Sequence, residues 1–154
     1  MEILQTIEHT MELVEQFTSE LGCPISKSDY IIEDLGCPHK PTPLKPGYVG
    51  VYLFFYKGQA LKIGKANERT KARFLSQHYG FNARSTLAKS IAADPYFAQL
   101  GFTKENAGAW IKENTHRINI LVTERIGPAA SELIEAVFHY QFRPRFEGAL
   151  HTKY

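Results

Sequence analysis

Apolar residues recur at helical spacing through the first twenty positions, at Ile3, Ile7, Met11, Val14 and Phe17, with Leu4 and Leu13 beside them. This period predicts a helix over 2–21, stopped by Gly22 and Pro24. Ser28 is placed to cap a short second helix, Asp29 to Leu35, closed by Gly36. Residues 37–47, CPHKPTPLKPG, hold four prolines and read as an extended connector. The chain therefore divides into a helical N-terminal extension, 1–46, and a domain over 47–154.

Past the connector the period changes to two. Val49, Val51, Leu53 and Phe55 share one face of a strand, and Gly50, Tyr52, Phe54 and Tyr56 share the other. Apolar residues on both faces predict a covered, central strand. The second strand, Ala60 to Gly64, puts Leu61 and Ile63 on one face and Lys62 on the other. Turn length decides whether Tyr52 and Lys62 meet. A two-residue loop, Lys57-Gly58, pairs Leu53 with Lys62 and sends Tyr52 to the opposite face. A three-residue loop, Tyr56-Lys57-Gly58, pairs Tyr52 with Lys62. The expected register is this odd one, or an equivalent bulge.

Asn67 caps a predicted helix over 68–79. Arg69, Arg73 and Gln77 line one side of it, and Ala72, Leu75 and Tyr79 form its buried side. A helix over 86–93 is interrupted at Asp94-Pro95 and resumes to Leu100. Thr103 caps another that reaches Asn114. Residues 117–124, RINILVTE, form the third strand. Gly127-Pro128 opens a last helix with proline at its first position, running to Phe142. The expected fold is α/β (α+β), a small three-stranded antiparallel sheet flanked by helices.

Composition narrows the class without naming a chemistry. The chain has 154 residues, 44% hydrophobic and 22% charged, with a net charge of +2, which suits one soluble domain with an appended segment. Net charge does not announce a nucleic-acid binder. The stretch from Lys57 to Lys89 does more, because it carries Arg69, Lys71 and other cations and one acid, Glu68. Such a stripe can face phosphates, although by charge alone a solvated helix face accounts for it. Cys23 and Cys37 are too few for a disulfide framework and suit free thiols in a reducing cytosol. Zinc-ligand spacing is missing. The acidic, amphipathic start lacks the basic and apolar regions of a signal peptide, and no window is long and apolar enough to span a bilayer. A cytoplasmic protein with no membrane partner is expected.

On the last helix the polar positions Glu132, Glu135 and His139 fall on one side. Alone, they describe a solvated stripe. Together, Tyr52, Lys62, Arg73 and Glu135 comprise a phenol, an ammonium, a guanidinium and a carboxylate. Cleaving a phosphodiester needs a base for water, positive charge for the phosphorane and a hard cation held by oxygen. One carboxylate with several waters is adequate for Mg²⁺. A phosphate loop at Gly58 and Gly64-Lys65 is excluded by its spacing and by Ala66 at the Ser/Thr position. Trp110, Tyr96 and Phe97 suit core packing better than base stacking.

Gly50-Val51-Tyr52 and Lys62-Ile63-Gly64, then Arg73, Glu135 and Pro144-Arg145-Phe146-Glu147, occur in that order. With these elements the chain resembles the GIY-YIG nucleases over about Gly47 to Glu147. The resemblance implies a three-stranded antiparallel sheet, an essential arginine at Arg73 and a metal-binding glutamate. The family glutamate lies nine residues before the proline of the ending, which selects Glu135 over Glu132. A lysine matching Lys65 belongs to the site in the related repair endonucleases. Two positions depart from the pattern. Lys62 replaces the second-signature tyrosine, as in a restriction-endonuclease branch, and Glu147 stands where the family usually has asparagine.

The implied activity is one-metal hydrolysis of DNA with Mg²⁺ or Mn²⁺ held by Glu135. Tyr52 takes or positions the proton of the attacking water, its pKa of about 10 lowered by Lys62 and Lys65. Arg73 forks onto a phosphate oxygen, and His78, one turn further, assists. Arg69 and Lys71 are expected to contact DNA, and His139 has an outer-shell or surface role. The N-terminal helices offer a homodimer contact. The competing expectation is a non-cleaving nucleic-acid-binding or interaction module on the same scaffold.

Overall fold

The computed structural model describes residues 2–146; Glu147 lies outside the described residues. Over the described residues the fold is mixed α+β, a four-stranded antiparallel sheet with six helices. Helix α1, Ile3–Glu20, follows the predicted period and buries Ile7, Met11 and Val14. Its end is fixed from within. Thr18 donates to the Val14 carbonyl at 2.7 Å and accepts the Ile25 N–H at 2.9 Å.

The predicted second helix is instead strand β1, Tyr30–Gly36. Ser26, two residues ahead of the expected cap, forms a capping box with Asp29 around one 3-10 turn. The chain then extends because β4, His116–Thr123, offers a partner, with Tyr30 opposite Val122 and Ile32 opposite Ile120. A seven-residue segment of mixed propensity gains more from that ladder than from two isolated helical turns. The expected three-stranded sheet thus has four strands, in the order β1-β4-β2-β3. Strand β2 is Tyr48–Tyr56 and β3 is Gln59–Ala66.

The β2–β3 turn has two residues, Lys57 and Gly58, with φ of 47° and 83°, inside a Tyr56–Gln59 pair. That turn alone would give the even register. A bulge between Phe54 and Phe55 corrects it: Phe55 faces Ala60, Phe54 faces Lys62, and Leu61 is the extra residue. Tyr52 is therefore opposite Gly64, not Lys62. Lys62 sits on the same face one pair away, diagonal to Tyr52.

The two sheet faces carry separate cores. Val51, Leu53 and Phe55 of β2 and Ile118, Ile120 and Val122 of β4 face α1 and the last helix, α6, Pro128–Phe142. Tyr52, Phe54 and Leu121 face the intervening helices. These are α2 (Lys71–Leu75), α3 (Leu87–Ala92), α4 (Pro95–Ala98) and α5 (Ala107–Asn114). Phe54, Phe74, Ile111 and Phe138 are fully buried, each contributing about 1.5–3 kcal/mol from its own burial.

The predicted helix over 68–79 is broken into a 3-10 turn, α2 and a second 3-10 turn, Gln77–Tyr79. Asn67 does cap it, accepting from the Arg69 and Thr70 amides. At Ser76 φ reaches −138° and the helix ends. Ala72 and Leu75 are exposed, while Phe74, His78 and Tyr79 turn inward. Asp94 and Pro95 start α4 as expected. Helix α5 begins at Ala107, later than expected, because Thr103 and Asn106 bond each other's amides first. No helix among the described residues is long and apolar enough to cross a membrane.

Candidate active site

The two signature glycines are seats for aromatic rings. A Cβ on Gly50 would lie 2.3 Å from the Phe74 ring, and one on Gly64 would lie 2.5 Å from the Tyr52 hydroxyl oxygen. Tyr52 thus reaches across β3 toward the outer edge of the sheet. The ring is 2% exposed. Its hydroxyl lies 2.8 Å from His78 Nε2.

The His78 tautomer follows from its other nitrogen. Nδ1 accepts the Leu87 N–H at 3.0 Å, so the ring proton resides on Nε2 and is donated to Tyr52. Burial, then the charges of Arg73, Lys62 and Arg117, push the His78 pKa down to about 2. His78 is therefore a neutral donor that holds the phenol oxygen, not an acid–base group.

Arg73 is aimed by backbone. Its guanidinium donates to the carbonyls of Arg84 at 2.9 Å and Ser85 at 2.8 Å. Lys62, 9% exposed, has its pKa lowered to about 8, first by burial and then by the Arg73 charge. Tyr52 departs from the sequence expectation. Burial raises its pKa above 10. Arg73, by charge and hydrogen bond, and Arg117, by charge, pull it back, and the Glu135 charge pushes it up. The phenol is thus neutral in the free chain.

Glu135 approaches along the edge of β3, where α6 runs. His139 Nε2 bonds the Ile63 carbonyl at 2.9 Å, and the amides of Arg145 and Phe146 bond the Ala60 and Leu61 carbonyls. His139 is therefore an anchor between α6 and the strand edge. Glu135 meets Lys65 at 3.4 Å, both side chains partly exposed. So Tyr52, Lys62, Arg73 and His78 form one cluster, with Glu135 and Lys65 at its rim. Arg69 lies elsewhere, lining a cleft with Asn67, Glu124, Gly127 and Pro128. Lys71 is exposed and paired with Glu68 at 2.8 Å. Trp110 and Phe97 pack in the second core with Tyr56 and Phe102. Both cysteines are free and exposed.

One polar group of the core escaped the sequence reading. Arg117 is fully buried. It donates to Asn119 Oδ1 at 2.9 Å, the Tyr79 hydroxyl at 3.0 Å and the Phe74 carbonyl at 2.7 Å. Tyr79 in turn lies 2.7 Å from His39 Nε2, and His39 Nδ1 lies 2.8 Å from the Thr115 carbonyl. Burial lowers the His39 pKa to about 4, so the ring is neutral, donates to Thr115 and accepts from Tyr79. The signal was present. Arg117 and Asn119 alternate with Ile118 and Ile120 on a strand apolar on its other face. A polar pair on a covered strand implies a buried network.

Comparison with protein-family models, curated proteins and solved structures returns no match for this chain.

Proposed function

We propose that the chain is a metal-dependent endonuclease that hydrolyses DNA phosphodiester bonds. The observation that carries this reading is the convergence on one phenol. The Tyr52 hydroxyl accepts from His78, and the opposed charges of Arg73 and Glu135 both act on it. A lysine and an arginine beside a phenol suit a pentacovalent phosphorane, and no packing need requires that combination at a sheet edge.

The donor set fits a magnesium-type ion. Among the described residues no three His, Cys, Asp or Glu side chains cluster. A hard cation of this type needs only one carboxylate, with waters and substrate phosphate completing its shell. Glu135 is the carboxylate that would hold such an ion, with Lys65 beside it at 3.4 Å. When bound, Mg²⁺ or Mn²⁺ supplies Lewis-acid charge at the scissile phosphate. Arg73 and Lys62 neutralise the non-bridging oxygens, and Lys65 lies at the rim to hold the strand. Tyr52 orients the attacking water through its hydroxyl, whose oxygen is fixed by His78. The surrounding cations favour the phenolate that accepting a proton would require.

DNA is the proposed partner, through Lys71 and Arg69 beyond the site, and a reducing cytoplasm suits the two free thiols. The test is supercoiled plasmid with Mg²⁺, comparing the native chain with Glu135→Ala. Nicking by the native chain is expected to fall at least about 10²-fold in the variant. Equal nicking by both, or none by either across several metals and DNA forms, would leave the non-cleaving module as the correct reading.

A further inference from the structure

We propose that Arg117 is a positioning residue for Tyr52, a buried guanidinium without a carboxylate partner that fixes the phenol's orientation and its affinity for a proton. The inference rests on the nuclease reading only for its functional consequence. Three observations carry it. First, Arg117 is fully buried, and among the described residues no carboxylate lies within ion-pair distance of it. Arginine stays charged in proteins, and a buried charge is costly without a counter-ion. Neutral oxygens and three aromatic faces take the place of one. The guanidinium carbon lies 4.7 Å from the centre of the Phe74 ring, 5.0 Å from Phe54 and 5.8 Å from Tyr52.

Second, the guanidinium joins the two halves of the site. Its bond to the Phe74 carbonyl grips α2 at the residue after Arg73. Its strand position, opposite Phe54 with Asn119 opposite Tyr52, places it on the strand beside the phenol-bearing one and on the same sheet face. One side chain thus sets the spacing between Tyr52 and Arg73.

Third, the charge lies within reach of Tyr52, on whose phenol it acts in the direction that favours proton loss. Tyr79 is the other phenol nearby, but its proton is committed to His39 and its oxygen accepts from Arg117. Tyr52 accepts from His78, so its own proton is not the one that makes that bond. The charges that act on Tyr52 are Arg73 from α2, Glu135 from α6 and Arg117 from β4; His78 of the following turn bonds it, and Lys62 of β3 shares its sheet face and acts on His78. Glu33 of β1 stands behind Asn119, accepting its amide at 3.3 Å. Arg117 is the fully buried guanidinium of this set, so its field on the phenol is little screened by solvent.

The experiment reads the phenol directly. Tyrosines are replaced biosynthetically by 3,5-difluorotyrosine, which titrates nearer neutrality, and the ¹⁹F resonance of Tyr52 is assigned with Tyr52→Phe. In Arg117→Gln the Tyr52 midpoint should rise by about one pH unit, a tenfold change in proton affinity. The ascending, acid-side limb of the cleavage profile should move with it, so that cleavage lost at pH 7 returns at higher pH. Should Arg117→Gln not fold, Asn119→Asp with Glu33→Gln places a carboxylate against Arg117 Nε at constant net charge, and the midpoint should again rise. A midpoint that stays put in a folded variant overturns the proposal, as does activity lost equally at every pH. The ¹⁹F titration needs no cleavage. A shifted midpoint in a protein that cuts no DNA would therefore remove the nuclease reading and leave this one standing.

Discussion

The seat that Gly64 provides for Tyr52 can be measured as a coupling energy. An alanine Cβ at position 64 would stand 2.5 Å from the Tyr52 hydroxyl oxygen, 2.8 Å from Cζ and 3.1 Å from Cε1. The ring has no space into which to retreat. His78 holds the hydroxyl, with ring centroids 4.7 Å apart, and Phe54 lies edge-on at 6.0 Å. Overpacking of this kind costs about 1–3 kcal/mol. In a chain of 154 residues each kcal/mol lowers Tm by about 2–4 °C, so Gly64→Ala should melt about 2–12 °C below the native chain. The same change in a Tyr52→Leu background meets no phenol. There the reduced freedom of the unfolded chain offsets the remaining strain, by about 0.4–1 kcal/mol, and the cost should fall below about 0.5 kcal/mol. Urea unfolding of the four proteins gives a coupling of at least about 1 kcal/mol if the argument holds. Equal cost of Gly64→Ala in both backgrounds would refute it, because the clash would then lie elsewhere.

Two further outcomes follow from other parts of the molecule. Lys62, with a folded pKa of about 8 against an ordinary 10.5, should give opposite pH slopes in two assays. Between those values the unfolded chain binds the extra proton, so stability should rise with pH, while cleavage that needs the ammonium should decline above about pH 8. Lys62→Ala should remove both slopes and lower turnover about 10²-fold with DNA affinity little changed; normal turnover with weakened, salt-dependent binding would make Lys62 a phosphate anchor only. On α1 and its C-cap, Leu13, Phe17 and Leu21 are each at least half exposed and succeed one another every four residues, which is where a homodimer through the N-terminal helices would form. Light scattering at increasing concentration should show association of the native chain that Phe17→Glu abolishes, and a mass independent of both would exclude that contact.

Elements bounded by local chemistry were legible in the sequence. Pro128 opens α6 and Asn67 caps its turn because their signals act within four residues. The face shared by Tyr52 and Lys62 was legible too, but through the bulge at Leu61 and not through a longer turn. A bulge depends on what covers the strand edge, here the amides of residues 145 and 146, and those come from the far end of the chain. Strand β1 was missed for the same reason, since Tyr30–Gly36 extends only because β4 lies beside it. At the site, Tyr52, Lys62, Arg73 and Glu135 carried residue types that announce charge chemistry. Their tuning was not visible. Burial raises the phenol against the nearby cations, a balance of three-dimensional distances that no spacing records. Arg117 lay hidden because an arginine at the start of a strand ordinarily marks its solvated end.

The covering of β3 by Arg145, Phe146 and His139 also bears on how the molecule avoids its own kind. A sheet has two free margins, and each is a template for unwanted strand addition. The margin that floors the site is already occupied by its own chain, so neither a peptide nor a misfolding neighbour can lengthen the sheet there without first displacing α6. The other margin is β1, and it is kept short and unattractive. It spans seven residues, carries Glu33 and Asp34, and is kinked by an irregularity before Gly36. Aggregation by edge pairing is thereby discouraged at both ends of the sheet, by occupancy at one and by charge and brevity at the other.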